Sequence, residues 1–113
     1  MSMVDKQNRF TGMVAKLIIF AQDKGYQLTF GEAFRTEAQA NLNAANGSGI
    51  SNSLHKHRLA VDFNLFKGGK YLTASSDYKE LGEYWESLGG SWGGRFKNRP
   101  DGNHFSLEHN GVR

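Results

Sequence analysis

Two short segments carry residue types that can bind a metal ion and hydrolyse a substrate. In the first, His55 precedes Asp62 by seven positions, and in the second, Asp101 precedes His104 by three. Two imidazoles and one carboxylate around a tetrahedral ion, with the fourth position left to water, form the ligand set of a catalytic zinc site. The remaining Asp101 could then accept a proton from that water as a general base. Spacing alone leaves open a surface or capping role for both histidines and an ion pair of Asp62 with Arg58.

Composition limits the chemistry further. The 113 residues include no cysteine, which excludes disulfides, thiolate metal ligands and a cysteine nucleophile. The formal net charge of +3 favours anionic partners only mildly and is no evidence for nucleic-acid binding. The longest run of large apolar residues, 17–20, is far too short for a membrane span, and the N-terminus lacks an apolar signal core. We therefore expect synthesis in the cytoplasm and no stable membrane insertion.

The elements that must position these residues follow from hydrophobic periodicity. Apolar residues at helical spacing predict a helix over 8–24 and a second helix that begins at Ser75, while 36–45 has the composition of a short helix. Alternating apolar residues predict strands over 26–34, 59–66 and 104–108, and 91–101 is expected to be a loop. In the second strand the alternation places Asp62 on the polar face. Helices mixed with short strands outside βαβ units predict one α+β domain over 1–113, with its core at about 9–109.

Four motifs together resemble a zinc metallopeptidase family that includes D-Ala-D-Ala carboxypeptidases, vancomycin-resistance dipeptidases and phage L-alanyl-D-glutamate endopeptidases. They occupy residues 32–36, 53–62, 92–96 and 101–105, and the resemblance covers 10–107. It implies a hedgehog/DD-peptidase-like fold, in which helices flank a small antiparallel sheet. It also implies one Zn²⁺ per chain, held by His55, Asp62 and His104.

The resemblance implies roles for further residues. Asp101 would be the catalytic base, Arg35 would bind a substrate carboxylate or stabilise the oxyanion, and Ser53 would hydrogen-bond the substrate. The sequence departs from the family pattern twice. Arg58 stands where many members carry a glycine, and the base is Asp101 where the dipeptidase branch has Glu. Both features are closer to the phage endolysin branch, so the expected target is the bond between L-Ala and D-Glu.

Trp92 and His57 have two interpretations each, and His109 has one. Trp92, beside two glycines, either lines the substrate cleft or packs in the core. His57 is a weaker rival to His55 as a ligand and is more simply a solvent-facing loop residue. His109 follows His104 by five positions, which on a continuous strand sends it to the opposite face, so we expect a tail residue.

The leading hypothesis is a zinc-dependent peptidoglycan endopeptidase, a phage or prophage endolysin that lyses the host. We expect a monomer without a cell-wall-binding domain, made in the host cytoplasm and admitted to the wall by a membrane-permeabilising partner such as a holin. The alternatives are a D-Ala-D-Ala carboxypeptidase or dipeptidase of the same family, a metal-dependent nuclease, and a binding module that has lost the chemistry.

Overall fold

The computed structural model describes residues 2–31, 54–97 and 100–109, apart from the side chain of Lys56. The helices are α1 (Met3–Asp23) and α2 (Lys79–Ser87), and the strands are β1 (Tyr26–Phe30), β2 (Ala60–Lys67), β3 (Lys70–Leu72), β4 (Ser91–Trp92) and β5 (His104–Ser106). Short 3₁₀ turns span Leu54–His57, Ser75–Tyr78 and Gly93–Arg95. The helices and antiparallel strands confirm the predicted α+β class.

Strand β2 is the centre of the sheet. The strand order is β1-β2-β5-β4, all neighbours are antiparallel, and β3 also pairs with β2. On one edge, the Asp62 carbonyl accepts the Gly31 N–H at 2.7 Å, while on the other edge the Phe63 N–H donates to the Asn103 carbonyl at 3.0 Å. The first half of β2 therefore lies between the end of β1 and the loop that leads into β5.

Alternation along β2 separates the core from the opposite face of the sheet. Val61, Phe63 and Leu65 are buried, whereas the residues between them are partly exposed. Both helices contribute to the same hydrophobic cluster as these strand residues. Its helical members are Phe10, Met13, Leu17, Ala21, Leu81 and Trp85. Since successive strand residues point to opposite faces, Asp62 lies on the face turned away from this cluster.

The structure differs from the sequence predictions at several elements. The helix expected from Ser75 starts with a 3₁₀ turn over Ser75–Tyr78, and the strand expected over 104–108 ends at Ser106. Helix α1 begins five residues before position 8, because Ser2 and Asp5 form a capping box in which each side chain accepts the other's backbone N–H. The expected loop over 91–101 contains β4 and a 3₁₀ turn, so that prediction is wrong for 91–95. Strand β3 was not predicted, since three residues are too few for periodicity to reveal. The predicted helix over 36–45 lies outside the described residues.

Candidate metal centre

Asp62 and His104 meet because their strands pair in register. In the antiparallel ladder of β2 and β5 they are direct partners, and partners in such a ladder place their side chains on the same face. The His104 Nδ1 lies 3.2 Å from the Asp62 Oδ1. The imidazole is 8% exposed, since β5 is covered on both faces. The backbone ladder thus fixes a carboxylate beside a buried imidazole.

His55 reaches the same carboxylate oxygen from the 3₁₀ turn that precedes β2. Its Nε2 lies 3.4 Å from the Asp62 Oδ1, and the residue is 3% exposed. The turn is closed by the Leu59 N–H, which donates to the Leu54 carbonyl at 3.0 Å. Arg58 supplies the left-handed backbone that this return requires, with φ of 59°. This conformation favours glycine, so Arg58 adopts it at a cost in backbone energy.

The shared carboxylate is strongly acidic. Burial alone would raise the pKa of Asp62, but hydrogen bonds with His104 and His55 and the positive charge those rings can carry outweigh it and lower the pKa to about 2. Asp62 therefore stays anionic at any physiological pH. The deprotonated carboxylate is the form that binds a metal ion.

The three side chains fit a tetrahedral divalent ion. Their ligand atoms all lie within 4.8 Å of one another. Ligands placed 2.0–2.1 Å from a tetrahedral zinc are about 3.3 Å apart, and the two measured nitrogen–oxygen separations, 3.4 and 3.2 Å, match that edge. Two imidazoles and a carboxylate are also a donor set that zinc accepts readily. The described residues therefore include a group that could hold a metal.

Asp101 belongs to the loop that leads into His104. Loss of surrounding water raises the pKa of its carboxyl, and the charge of Asp62 raises it further, while His104 and His55 act in the opposite direction. His55, Asp62 and His104 are called the metal group below. Asp101 therefore lies close enough to the metal group for its pKa to respond to their charges. A carboxyl whose pKa is raised accepts a proton more readily, as a general base requires.

Four hydrogen bonds hold this loop in place. The Asp101 N–H donates to the Gly93 carbonyl at 2.9 Å, and the His104 N–H donates to the Asp101 carbonyl at 3.1 Å. The Gly102 N–H donates to the Ser75 Oγ at 3.0 Å, and the Gly102 carbonyl accepts the indole N–H of Trp92 at 2.8 Å. Side chains thus fix both backbone polar groups of Gly102, one of the two residues between Asp101 and His104. This role of Ser75 could not be predicted from the sequence, because nothing in the sequence links it to a glycine 27 positions later.

Trp92 packs in the core, one of its two predicted environments, and also borders a surface pocket. The residue is 5% exposed and its ring packs against Gly82 and Gly94, as expected of a core residue. It also contributes to the wall of a 280 Å³ surface pocket together with Arg95 and Phe96. Its indole N–H is already engaged by Gly102, so the ring supports the loop, and contact with substrate stays a prediction.

The remaining predicted residues lie apart from this group or beyond the described chain. Arg35 and Ser53, expected to bind substrate, lie outside the described residues. His57 is half-buried, and its ring centroid lies 5.4 Å from that of His109, whose Nδ1 is 3.2 Å from the Lys6 Nζ. His109 therefore contacts α1 through Lys6. The metal group identified in the described residues does not include His57.

Comparisons with known proteins assign this fold and its group of candidate ligands to a class of enzyme. The sequence model of the D-alanyl-D-alanine carboxypeptidase family matches residues 46–107, more than half of the chain. The chain belongs to this peptidase family. The crystal structure of Serratia marcescens L-Ala D-Glu endopeptidase ChiX is similar to this structure, with a TM-score of 0.70, 24% identity, and coverage of 87% of this chain and 79% of that one. A search of curated proteins found no match.

Two further findings concern the fold and the membrane. The antiparallel sheet flanked by helices that the sequence predicted is confirmed by the similarity to ChiX. Among the described helices, none combines the length and the apolar character needed to cross a bilayer.

Proposed function

We propose that this peptidase is a zinc-dependent peptidoglycan endopeptidase that hydrolyses the bond between L-Ala and D-Glu in the stem peptide. The observation that carries the proposal is the convergence of His55, Asp62 and His104, with the Asp101 loop fixed beside them. Membership of the peptidase family supports the reaction class. The printed activity of ChiX, an L-Ala D-Glu endopeptidase, supports the choice of bond.

In this proposal, the protein's own groups divide the work between binding and proton transfer. His55, Asp62 and His104 would hold the zinc ion, which when bound lowers the pKa of a water and polarises a carbonyl. Asp101 accepts the proton of the attacking water and later delivers it to the leaving amine. The Ser75 and Trp92 hydrogen bonds keep the loop of Asp101 in place through both transfers. Arg35 would bind negative charge on the substrate, as the family resemblance implies.

A second candidate is release of the terminal D-Ala, since the matching family is described as D-alanyl-D-alanine carboxypeptidase. The two reactions use the same metal group and differ in which bond of the stem peptide is placed over it. They can be separated by their products: endopeptidase action divides the stem after L-Ala, whereas carboxypeptidase action liberates free D-Ala.

The test is digestion of purified peptidoglycan and of a defined stem peptide by the zinc-loaded protein, with fragments identified by mass spectrometry. We expect fragments ending in L-Ala and beginning with D-Glu, and their formation should stop when a chelator is added. Asp101→Asn should retain zinc and lose a factor of about 10² to 10⁴ in rate. Free D-Ala alone would favour the second candidate. Absence of hydrolysis with zinc present, or parental activity in Asp101→Asn, would contradict the proposal or the role of Asp101.

We further propose that the enzyme acts as a phage endolysin, made in the host cytoplasm as a monomer and reaching the wall through a holin. The resemblance of Asp101 and Arg58 to the endolysin branch supports this role, and a net charge of +3 favours approach to an anionic wall. Expression in a bacterial host should cause lysis only when the membrane is permeabilised. Cells that express Asp101→Asn should stay intact under the same treatment. Lysis by both proteins would contradict the proposal.

A further inference from the structure

The face of the sheet that carries Asp62 extends well beyond the metal group. Residues that alternate along β2 share this face, so Asn64 and Phe66 follow Asp62 on it. Across the ladders, Phe66 is the direct partner of Tyr71 in β3, which places Tyr71 on the same face. Both described helices pack on the opposite face, as the core cluster requires. The metal group and this pair therefore lie on one continuous surface.

Phe66 and Tyr71 form a tilted aromatic pair, called the platform below. Their ring centroids are 5.2 Å apart and the rings are inclined by 31°. Tyr71 is 54% exposed although its ring contacts that of Phe66. Single exposed apolar residues need no explanation, but a pair of rings in contact on the face of a candidate active site does. Such rings offer an apolar surface with a polar edge.

Among the described residues, those near the platform and Asp62 on this face are polar and uncharged. Asn64 is partly exposed on β2, and its ladder partner Thr29 is exposed on β1. Gln27, the β1 partner of Phe66, is exposed beside the platform. Two amides and a hydroxyl next to aromatic rings suit a ligand with acetamido and hydroxyl groups on one side and an apolar C–H face on the other. An N-acetylated pyranose has this chemistry.

The distance from Asp62 to the platform agrees with the distance from the cleaved bond to the sugar in peptidoglycan. This comparison rests on the proposed function. Four strand residues separate Asp62 from Phe66, a distance of about 13 Å. In peptidoglycan the L-Ala amine is acylated by the lactyl group of muramic acid, so about two residue lengths, or about 7 Å, separate the cleaved carbonyl from the first sugar ring. That ring and its neighbour then reach the platform. The D-Ala-D-Ala bond lies three residues further along the stem, about 10 Å more, which would carry the sugars past it.

We propose that Phe66 and Tyr71 bind the saccharide to which the cleaved stem peptide is attached. The platform is a binding surface for the glycan and takes no part in bond cleavage. Its removal should therefore raise KM for substrates that contain the sugar and leave kcat almost unchanged.

The experiment compares two substrates: a disaccharide-linked stem peptide and the same peptide without sugar. Tyr71→Ala should lower kcat/KM for the glycopeptide by about five- to tenfold and leave the free peptide within twofold of the parent protein. Tyr71→Phe, which keeps the ring, should retain at least half of the parental kcat/KM on both. Ile19→Ala is the matched control, because Ile19 is 59% exposed on α1, which packs on the opposite face.

The outcomes separate this proposal from the proposed function. Loss of glycopeptide activity alone in Tyr71→Ala supports the platform. An equal loss on both substrates, or none on either, would overturn the platform while the endopeptidase activity of the parent protein stands. If the zinc-loaded parent protein cleaves neither substrate, the proposed function fails, and the platform fails with it.

Discussion

Adding a single methyl group at Gly93 should displace Asp101 and His104. A Cβ at this position would overlap the Asp101 carbonyl oxygen and lie 2.8 Å from the His104 Cβ, where ordinary contact begins at 3.4 Å. His104 must then move by at least about 0.6 Å, and the Asp101 backbone by more. Both displacements exceed about 0.5 Å, the limit that productive geometry tolerates. Gly93 cannot simply retreat, since its carbonyl accepts the Asp101 N–H.

The expected cost can be estimated from that displacement. Misplacement of a catalytic group by about 1 Å reduces rate by about 10²-fold, so Gly93→Ala should lose about 10- to 100-fold in kcat/KM. Overpacking of the buried contact should also lower the free energy of unfolding by about 1–3 kcal/mol. Zinc affinity should fall as well, because His104 moves relative to Asp62.

Three measurements on one protein preparation test this reasoning. Peptide hydrolysis gives kcat/KM, calorimetric titration gives zinc affinity, and circular dichroism verifies that the variant is folded. Gly12→Ala is the control, because a Cβ at that position of α1 meets nothing within 4 Å. It should stabilise the helix by about 0.5–1 kcal/mol and leave activity unchanged. A folded Gly93→Ala variant with parental activity and zinc affinity would refute the argument that this glycine fixes the loop.

Three other substitutions have distinct expected effects. Asp62→Asn removes the one anionic ligand, so zinc affinity measured by competition with a chelator should fall at least about 10²-fold, and unchanged affinity would contradict the ligand set. Ser75→Ala removes the acceptor of the Gly102 N–H and should cost about 1 kcal/mol in unfolding free energy and reduce kcat, whereas Ser76→Ala, an exposed neighbour, should do neither. Burial raises the pKa of Tyr78 from 10.0 to about 12. The contribution of its neutral hydroxyl to the free energy of unfolding is therefore complete below pH 10 and is lost as pH rises to 12. The loss amounts to roughly 2–3 kcal/mol. Tyr78→Phe should lose stability at neutral pH and show a flatter decline between pH 10 and 12 in denaturant titrations, and an equal slope would refute the assignment.

The sequence predicted long elements well and their pairing poorly. The apolar stripes of both helices and the alternation around Asp62 follow from local periodicity, and the structure agrees with them. Strands β3 and β4 have three and two residues, too few for any periodic signal. The register that sets Asp62 opposite His104 joins positions 42 apart and depends on how the strands pack. Only the family resemblance could indicate that these two residues meet.

The backbone shows what position 58 requires, which residue types alone could not indicate. Arg58 differs from the glycine that the family pattern contains, and the sequence offers no reason for either residue. In the structure the position has positive φ, so the requirement is for a left-handed turn that returns the chain from His55 into β2. Glycine meets it without strain, and Arg58 meets it at a cost of about 1 kcal/mol.

The metal group joins parts of the chain that are distant in sequence, and this affects folding as well as chemistry. A bound ion would link the turn before β2 to β5, a strand of only three residues, and so act as a removable cross-link between positions 55 and 104. Since the ligands converge only in the folded state, free metal at a thousand times its dissociation constant would stabilise that state by about 4 kcal/mol. The melting temperature should therefore follow metal supply. Where metal is scarce, the enzyme would lose its activity and part of its resistance to unfolding together.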